Sequence, residues 1–163
     1  MGGLPLRQRI GLIGVFSTGN GSQIRNANAS GNVASYGDGG GIVGYASGNG
    51  ALNGALATGT VTGNAANGFS VGGLAGYFGM SGGLTGTLET RGNIAGTAAN
   101  AGGAIGYYDV TAAVGPITVT AASVTGHSWV GGLIGYMSQA SSITGTSAQS
   151  PLTVGATITS NGS

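Results

Sequence analysis

The chain has 163 residues, enough for one domain, and 40% of them are hydrophobic, which excludes the low-hydrophobicity, high-charge signature of disorder. Its 38 glycines exclude long helices, because each interior glycine costs about 1 kcal/mol relative to alanine. Four arginines, no lysine and three carboxylates leave a net charge of +1, too thin a field to neutralise a nucleic-acid backbone, and the absence of cysteine excludes disulfides and thiolate chemistry.

The first nine residues, MGGLPLRQR, precede IGLIGVF. A basic head before a short apolar run is the outline of a secretory leader. IGLIGVF is also the first copy of a phrase that recurs along the chain, and we read it as that copy. Residues 1–9 are then an N-terminal cap or leader segment, with Pro5, Arg7 and Arg9 blunting the first edge, and any secretion signal lies outside this sequence. The sequence has no run of about 18 apolar residues, so no membrane-spanning helix is predicted.

The phrase returns as GGGIVGY from Gly39, GGLAGY from Gly72, GGAIGY from Gly102 and GGLIGY from Gly131. Its glycine pair, or the equivalent position, falls at Ile10, Gly40, Gly72, Gly102 and Gly131, at intervals of 30, 32, 30 and 29 residues. A fixed period of this size marks a solenoid, a propeller or an array. An aliphatic residue follows each phrase at Ile24, Leu52, Leu84, Ile117 and Ile143. A second follows at Val33, Val61, Ile94, Val124 and Leu152. Turn formers fill the gaps, among them Asn20-Gly21, Asn49-Gly50, Asn53-Gly54 and Asn67-Gly68. Each repeat therefore reads as three short strands.

Three strands in about 30 residues predict one coil of a parallel β-solenoid, with coils stacked about 4.8 Å apart and one shared core. The expected fold is all-β: one solenoid over residues 10–163, with repeats at 10–39, 40–71, 72–101, 102–130 and 131–163. Its length is roughly 24 Å from the coil spacing, and right-handed coiling is the default for parallel crossovers. Gly14, Gly44, Gly76, Gly106 and Gly135 are the same in every copy. They predict close backbone packing or a tight corner.

The strings GLIG, GLAG and GLIG at Gly11, Gly73 and Gly132, with TGTVTG at Thr58, resemble the GLUG-motif repeats of bacterial surface proteins. The resemblance runs from about Ile10 onward; Gly41-Ile42-Val43-Gly44 and Gly103-Ala104-Ile105-Gly106 depart from strict Gly-Leu-x-Gly but stay apolar. Such repeats occur in large secreted adhesins of the filamentous-haemagglutinin type and in IgA-cleaving metallopeptidases, as non-catalytic modules. The resemblance implies an extracellular or cell-surface bacterial protein and transfers no catalytic residue.

Candidate chemistry is sparse. GGGIVG at Gly39–Gly44 matches a dinucleotide fingerprint, but YASGNGALNG after it does not open a helix. The sequence has no P-loop lysine. Asp38 and Asp109 are too few for calcium-binding nonapeptides, and one histidine, His127, makes no zinc site by itself. His127 reads as a polar corner residue beside Trp129. Asp38, Glu89 and Asp109 come from three different repeats and form no obvious catalytic pair. No nucleophile elbow marks a serine, and the sequons at Asn20, Asn28 and Asn161 are expected by chance in such a composition. We expect no enzyme, no cofactor and no metal.

Two surfaces remain. Thr85 and Thr87, Thr118 and Thr120, and Thr144 and Thr146 form Thr-x-Thr pairs in three consecutive repeats. Alternation from Leu84, Ile117 and Ile143 turns them outward as a grid resembling the ice-binding faces of antifreeze solenoids. Thr is also simply a good exposed strand residue, and Arg25 and Asn53 break the grid in the first copies.

The second surface comes from the phrase itself. Leu12, Ile42, Leu74, Ala104 and Leu133 are expected to line the core. Ile13, Val43, Ala75, Ile105 and Ile134 would then face outward with Val15, Tyr45, Tyr77, Tyr107 and Tyr136, an apolar ladder of assembly size. The inverse orientation, with Tyr in the core, is the alternative. The expected function is a structural or adhesive module of a surface protein or self-assembling filament. The alternative is an ice- or glycan-binding solenoid. Expected partners are other copies of the chain or flanking domains, and a host surface or ice, with no nucleic acid and no membrane span. The sequence stops where a sixth glycine pair would begin, which suits a fragment of a longer array or a subunit that stacks end to end.

Overall fold

The computed structural model of the chain describes residues 8–64, 69–121, 123–143 and 152–162. Those residues contain strands and connections and no helix. The strands form four five-stranded sheets, all paired in parallel, each taking one strand from each of five successive coils. The protein is a parallel β-solenoid of five turns.

Sheet one contains Arg9–Ile10, Asp38–Gly40, Ser70–Gly72, Asn100–Gly102 and Trp129–Gly131. Sheet two contains Ile13–Thr18, Val43–Gly48, Ala75–Met80, Ile105–Tyr108 and Ile134–Met137. Sheet three contains Gln23–Ala29, Ala51–Ala57, Leu84–Thr90, Ile117–Val119 and Thr153–Val154. Sheet four contains Val33–Ser35, Val61–Gly63, Ile94–Gly96, Ser123–Gly126 and Thr157–Ser160. Each coil thus has four strands where three were expected. The recurring phrase is two strands, not one, because the chain bends at its second and third residues and divides sheet one from sheet two.

That bend also breaks the two-residue alternation. The amides of Ile42 and Val43 both donate to the Leu74 carbonyl, at 3.0 Å each. Leu74 and Ala75 share the Ala104 carbonyl in the same way, and Ala104 and Ile105 share that of Leu133. Two successive amides on one acceptor mark a bend at which the register is kept, Gly40 to Val43 lying opposite Gly72 to Ala75, and the bend suspends the regular alternation. Both members of each pair consequently enter one core: Ile42, Val43, Leu74, Ala75, Ala104 and Ile105 are all fully buried.

The core is in two parts. The larger packs these corner residues with Phe78, Met80 and Tyr108 of sheet two against Leu52, Leu88, Ile117 and Val119 of sheet three. The smaller packs Val71 and Ala101 of sheet one against Val33, Val61, Ile94 and Val124 of sheet four. Between them the corner glycines press inward. A β-carbon at Gly41 would lie 2.8 Å from Ala57 Cβ, and one at Gly103 would lie 2.7 Å from Val119 Cγ1. A side chain at this waist has no room.

Columns of like residues run along the stack, as in-register parallel pairing requires. Val33, Val61, Ile94, Val124 and Ile158 form one such column. Ile158 holds the fifth place expected for Leu152, which instead packs partly buried against the larger core. Ile24, Leu52 and Leu84 continue into Val114 and Ile143, whereas Ile117 lies beside Leu88. The irregular stretch between Tyr108 and Ile117 displaces the fourth coil against the simple spacing.

Candidate functional site

A feature repeated from coil to coil lies where sheets one and two meet. Their glycines face one another backbone to backbone. A β-carbon at Gly76 would sit 2.6 Å from the Gly39 nitrogen, and one at Gly72 would sit 2.7 Å from the Gly106 nitrogen. Two sheets approach this closely only where side chains are missing, which is the physical reason for the invariant glycines.

Beside this seam the tyrosines stack. Tyr45 and Tyr77 have ring centroids 4.5 Å apart at 10°, and Tyr77 and Tyr107 are 5.5 Å apart at 18°. Tyr107 and Tyr136 are 5.1 Å apart at 40°. Tyr45, Tyr77 and Tyr107 are partly buried, and Tyr136 is 37% exposed. Val15 continues the column into the first coil and is exposed. A second aromatic stack, Phe78 on Tyr108 at 5.6 Å, points into the core from the next residue of the same strands.

The expected outward ladder is therefore corrected. Val43 and Ile105 are fully buried, and Ile13 and Ile134 pack partly buried against the core. The shared-carbonyl bend turned that set inward and left only Val15, Tyr45, Tyr77, Tyr107 and Tyr136 on the outer side. The expected core residue Leu12 is largely exposed in the first coil, while Leu133 is partly buried.

A polar column in sheet one was missed from the sequence. Arg9 pairs in register with Asp38, Asn100 pairs with Ser70, and Trp129 follows Asn100. The Asp38 carboxylate accepts from the Ser70 amide at 3.2 Å, and Asn100 Nδ2 donates to Ser70 Oγ at 2.9 Å. All three polar residues are buried. Arg9 lies 4.0 Å from the Tyr45 ring centre, and Trp129 lies 5.2 Å from Tyr136, so the ends of this column flank the tyrosine ladder. The available signal was a fixed offset: Asp38, Ser70, Asn100 and Trp129 each stand two residues before a repeat glycine.

Asp109 ties adjacent coils together. It accepts from Tyr77 Oη, Ser138 Oγ and Gln139 Nε2. The hydrogen bond from Ser138, then those from Tyr77 and Gln139, hold its carboxyl below the usual range. Burial first, and then Asp109, raises the Tyr77 phenol well above its ordinary value. Burial pushes Tyr108 up to about 12, and its hydroxyl donates to the Ala112 carbonyl at 2.8 Å. Glu89 is lowered by its hydrogen bonds from Arg91.

The carboxylates thus lie apart. Asp38 is in sheet one, Asp109 follows sheet two and Glu89 is in sheet three, each with its own partners. His127 is an exposed corner residue whose Nδ1 meets Ser128 Oγ at 2.9 Å. Among the described residues no group of three or more His, Cys, Asp or Glu is placed to hold a metal, and no helix is long and apolar enough to cross a membrane.

The threonines do not form the expected grid. Thr85 pairs with Asn53, whereas Thr118 pairs with Glu89 on one side and Thr153 on the other. Between Thr85 and Leu88 the third coil carries one residue more than the second, so the register shifts there. Asn26, Gly54 and Gly86 take positive φ at this place in successive coils, at 48°, 73° and 69°. Thr85, Thr87 and Thr120 are exposed and Thr118 is half-buried, but they occupy different columns. Thr144 and Thr146 lie outside the described residues. An open depression bordered by Asn26, Asn53, Leu56, Thr87 and Glu89 occupies the surface instead.

Fold and surface together define a glycine-seamed parallel β-solenoid repeat protein. No family model matches the chain, and no significant match was found among curated proteins or solved structures.

Proposed function

We propose that this chain is a non-catalytic structural module of an extracellular bacterial surface protein, an adhesin-type building unit of the kind its GLUG-like repeats imply. One observation carries this reading: side chains stack in columns of their own kind from coil to coil. Tyrosine lies on tyrosine, valine on isoleucine, and polar groups bond to the coil above or below. Such an arrangement extends by adding coils and distributes its chemistry along a face rather than gathering it at a point. The carboxylates are likewise dispersed: Asp38 and Asp109 accept from neighbouring coils, and Glu89 accepts from Arg91 of its own coil. The ice-binding alternative loses its support in the register of Thr85 and Thr118.

Antibodies raised against the chain are expected to label intact cells of the source bacterium, and brief external protease treatment should remove the label. Label confined to lysed cells would overturn the surface reading.

A further inference from the structure

Three tyrosines of the inner coils are held ring against ring on the outer side of sheet two. In-register pairing places Tyr45 opposite Tyr77 and Tyr77 opposite Tyr107, so each ring starts from the equivalent backbone position one coil away. The two pairs differ in geometry. Tyr45 and Tyr77 are 4.5 Å apart and within 10° of parallel, whereas Tyr77 and Tyr107 are 5.5 Å apart at 18°. All three are only partly buried, so part of each side chain stays open to a dissolved reagent.

Tyr77 is also laid down along its own strand. A β-carbon at Gly79 would lie 3.0 Å from Tyr77 Cε1 and 3.1 Å from its hydroxyl oxygen, so the ring occupies the place of a side chain that Gly79 lacks. Its hydroxyl reaches into the next coil and donates to the Asp109 carboxylate, which also accepts from Ser138 and Gln139. Packing alone accounts for a stack of rings. A phenol bonded to a carboxylate adds chemistry to the stack. A phenol that loses an electron becomes a strong acid, and here its proton has an acceptor already in contact.

We propose that Tyr45 and Tyr77 are an oxidative cross-linking site: a peroxide-fed haem oxidant couples them within one chain into dityrosine, a covalent staple between the second and third coils. Each phenol gives one electron to the oxidant and loses one proton, that of Tyr77 passing to Asp109 and on to water, that of Tyr45 to water. The two phenoxyl radicals join through ring carbons ortho to their hydroxyls. The hydrogens on those carbons then shift to the oxygens and restore two phenols. The two electrons and two protons reduce one peroxide to two waters. Prior stacking makes the coupling intramolecular, and such orientation raises the effective concentration far above any that free chains reach. The staple closes a loop in the unfolded chain and so favours the folded state, as other cross-links do. The site is the same wherever the module is displayed, so it stands or falls apart from the surface reading.

The chain and its Tyr45→Phe, Tyr77→Phe and Tyr107→Phe variants, each of which keeps its ring, are treated in dilute solution with hydrogen peroxide and a haem peroxidase. The products are separated by size under denaturing conditions. Monomeric wild type should show dityrosine fluorescence. Trypsin, which cuts after Arg25 and Arg91, should release residues 26–91 lighter by two hydrogen atoms, since both rings lie in that peptide. Tyr107→Phe should keep the signal, and Tyr45→Phe and Tyr77→Phe should each lose it. The stapled monomer should melt at a higher temperature than the untreated chain. A variant that fails to melt cooperatively is set aside, because the peptide assignment in wild type decides by itself.

Dityrosine found only in dimers overturns the proposal. So does a within-chain link that joins residues 26–91 to residues 92–163, which would make Tyr77 and Tyr107 the pair. A signal that survives Tyr45→Phe also overturns it and points to Tyr36, which is 63% exposed. If the peroxidase couples N-acetyltyrosine in the same tube but leaves the chain unchanged, photo-oxidised tris(bipyridyl)ruthenium(III), a far smaller one-electron oxidant, replaces it. No coupling with either oxidant overturns the proposal.

Discussion

Gly106 lies against the main chain of Val71: a β-carbon at Gly106 would come 2.6 Å from the Val71 nitrogen and 2.7 Å from its oxygen. Both belong to paired strands in adjoining sheets, so neither can retreat without breaking a ladder. Gly106→Val should cost several kcal/mol through overpacking alone. Gly19→Ala is the matching control, because a β-carbon there meets nothing within 4 Å. It should shift stability by no more than about 0.5 kcal/mol. Urea unfolding of the two variants measures both, and an unchanged midpoint for Gly106→Val would contradict the seam.

Two adjacent tyrosines should respond very differently. Tyr107→Ser removes an outer ring stacked on Tyr77 and tilted against Tyr136, contacts that contribute about 0.5–1.5 kcal/mol each beyond burial, and the chain should stay folded. Tyr108→Ala empties a fully buried site and should cost about 3–5 kcal/mol, as large aromatic truncations do. Thermal melts of the pair test the assignment. If Tyr107→Ser unfolds the chain, the tyrosine ladder is core and not surface.

Acid should weaken the fold through Asp109. Its folded carboxyl is held below the ordinary value, so its contribution is present above about pH 4 and is lost as pH falls through the lower folded value. Asp109→Asn is expected to be less stable than wild type at neutral pH and to lose less on acidification. Parallel stability curves for the two proteins from pH 6 to about pH 2 would contradict this linkage.

Ice recognition by the threonines is expected to fail. Because Thr118 stands between Glu89 and Thr153, and Thr85 beside Asn53, these threonines form no flat repeat of hydroxyls across the coils among the described residues. A concentrated solution should show no thermal hysteresis, and Thr118→Leu should leave the freezing curve unchanged. Measurable hysteresis abolished by that substitution would show the register argument to be wrong.

The five coils, their period and the invariant glycines were determined by the sequence by itself. Parallel in-register stacking sets each residue beside its equivalent one coil away, so a solenoid must repeat its own chemistry, and Gly14, Gly44, Gly76, Gly106 and Gly135 display that repetition directly. The offset of Asp38, Ser70 and Asn100 from the glycine pairs was also present but carried no apolar signal, and it went unread. Only the tertiary structure decided which way the phrase faces. Alternation assumes an unbroken pleat, and the Leu74 carbonyl that receives both Ile42 and Val43 interrupts it, sending Val43 inward and leaving Tyr45 outside. Likewise, strand pairing constrains the strands and not the number of residues between them. The irregular stretch after Tyr108 therefore set Val114, rather than Ile117, beside Leu84, and with it the columns in which the threonines stand.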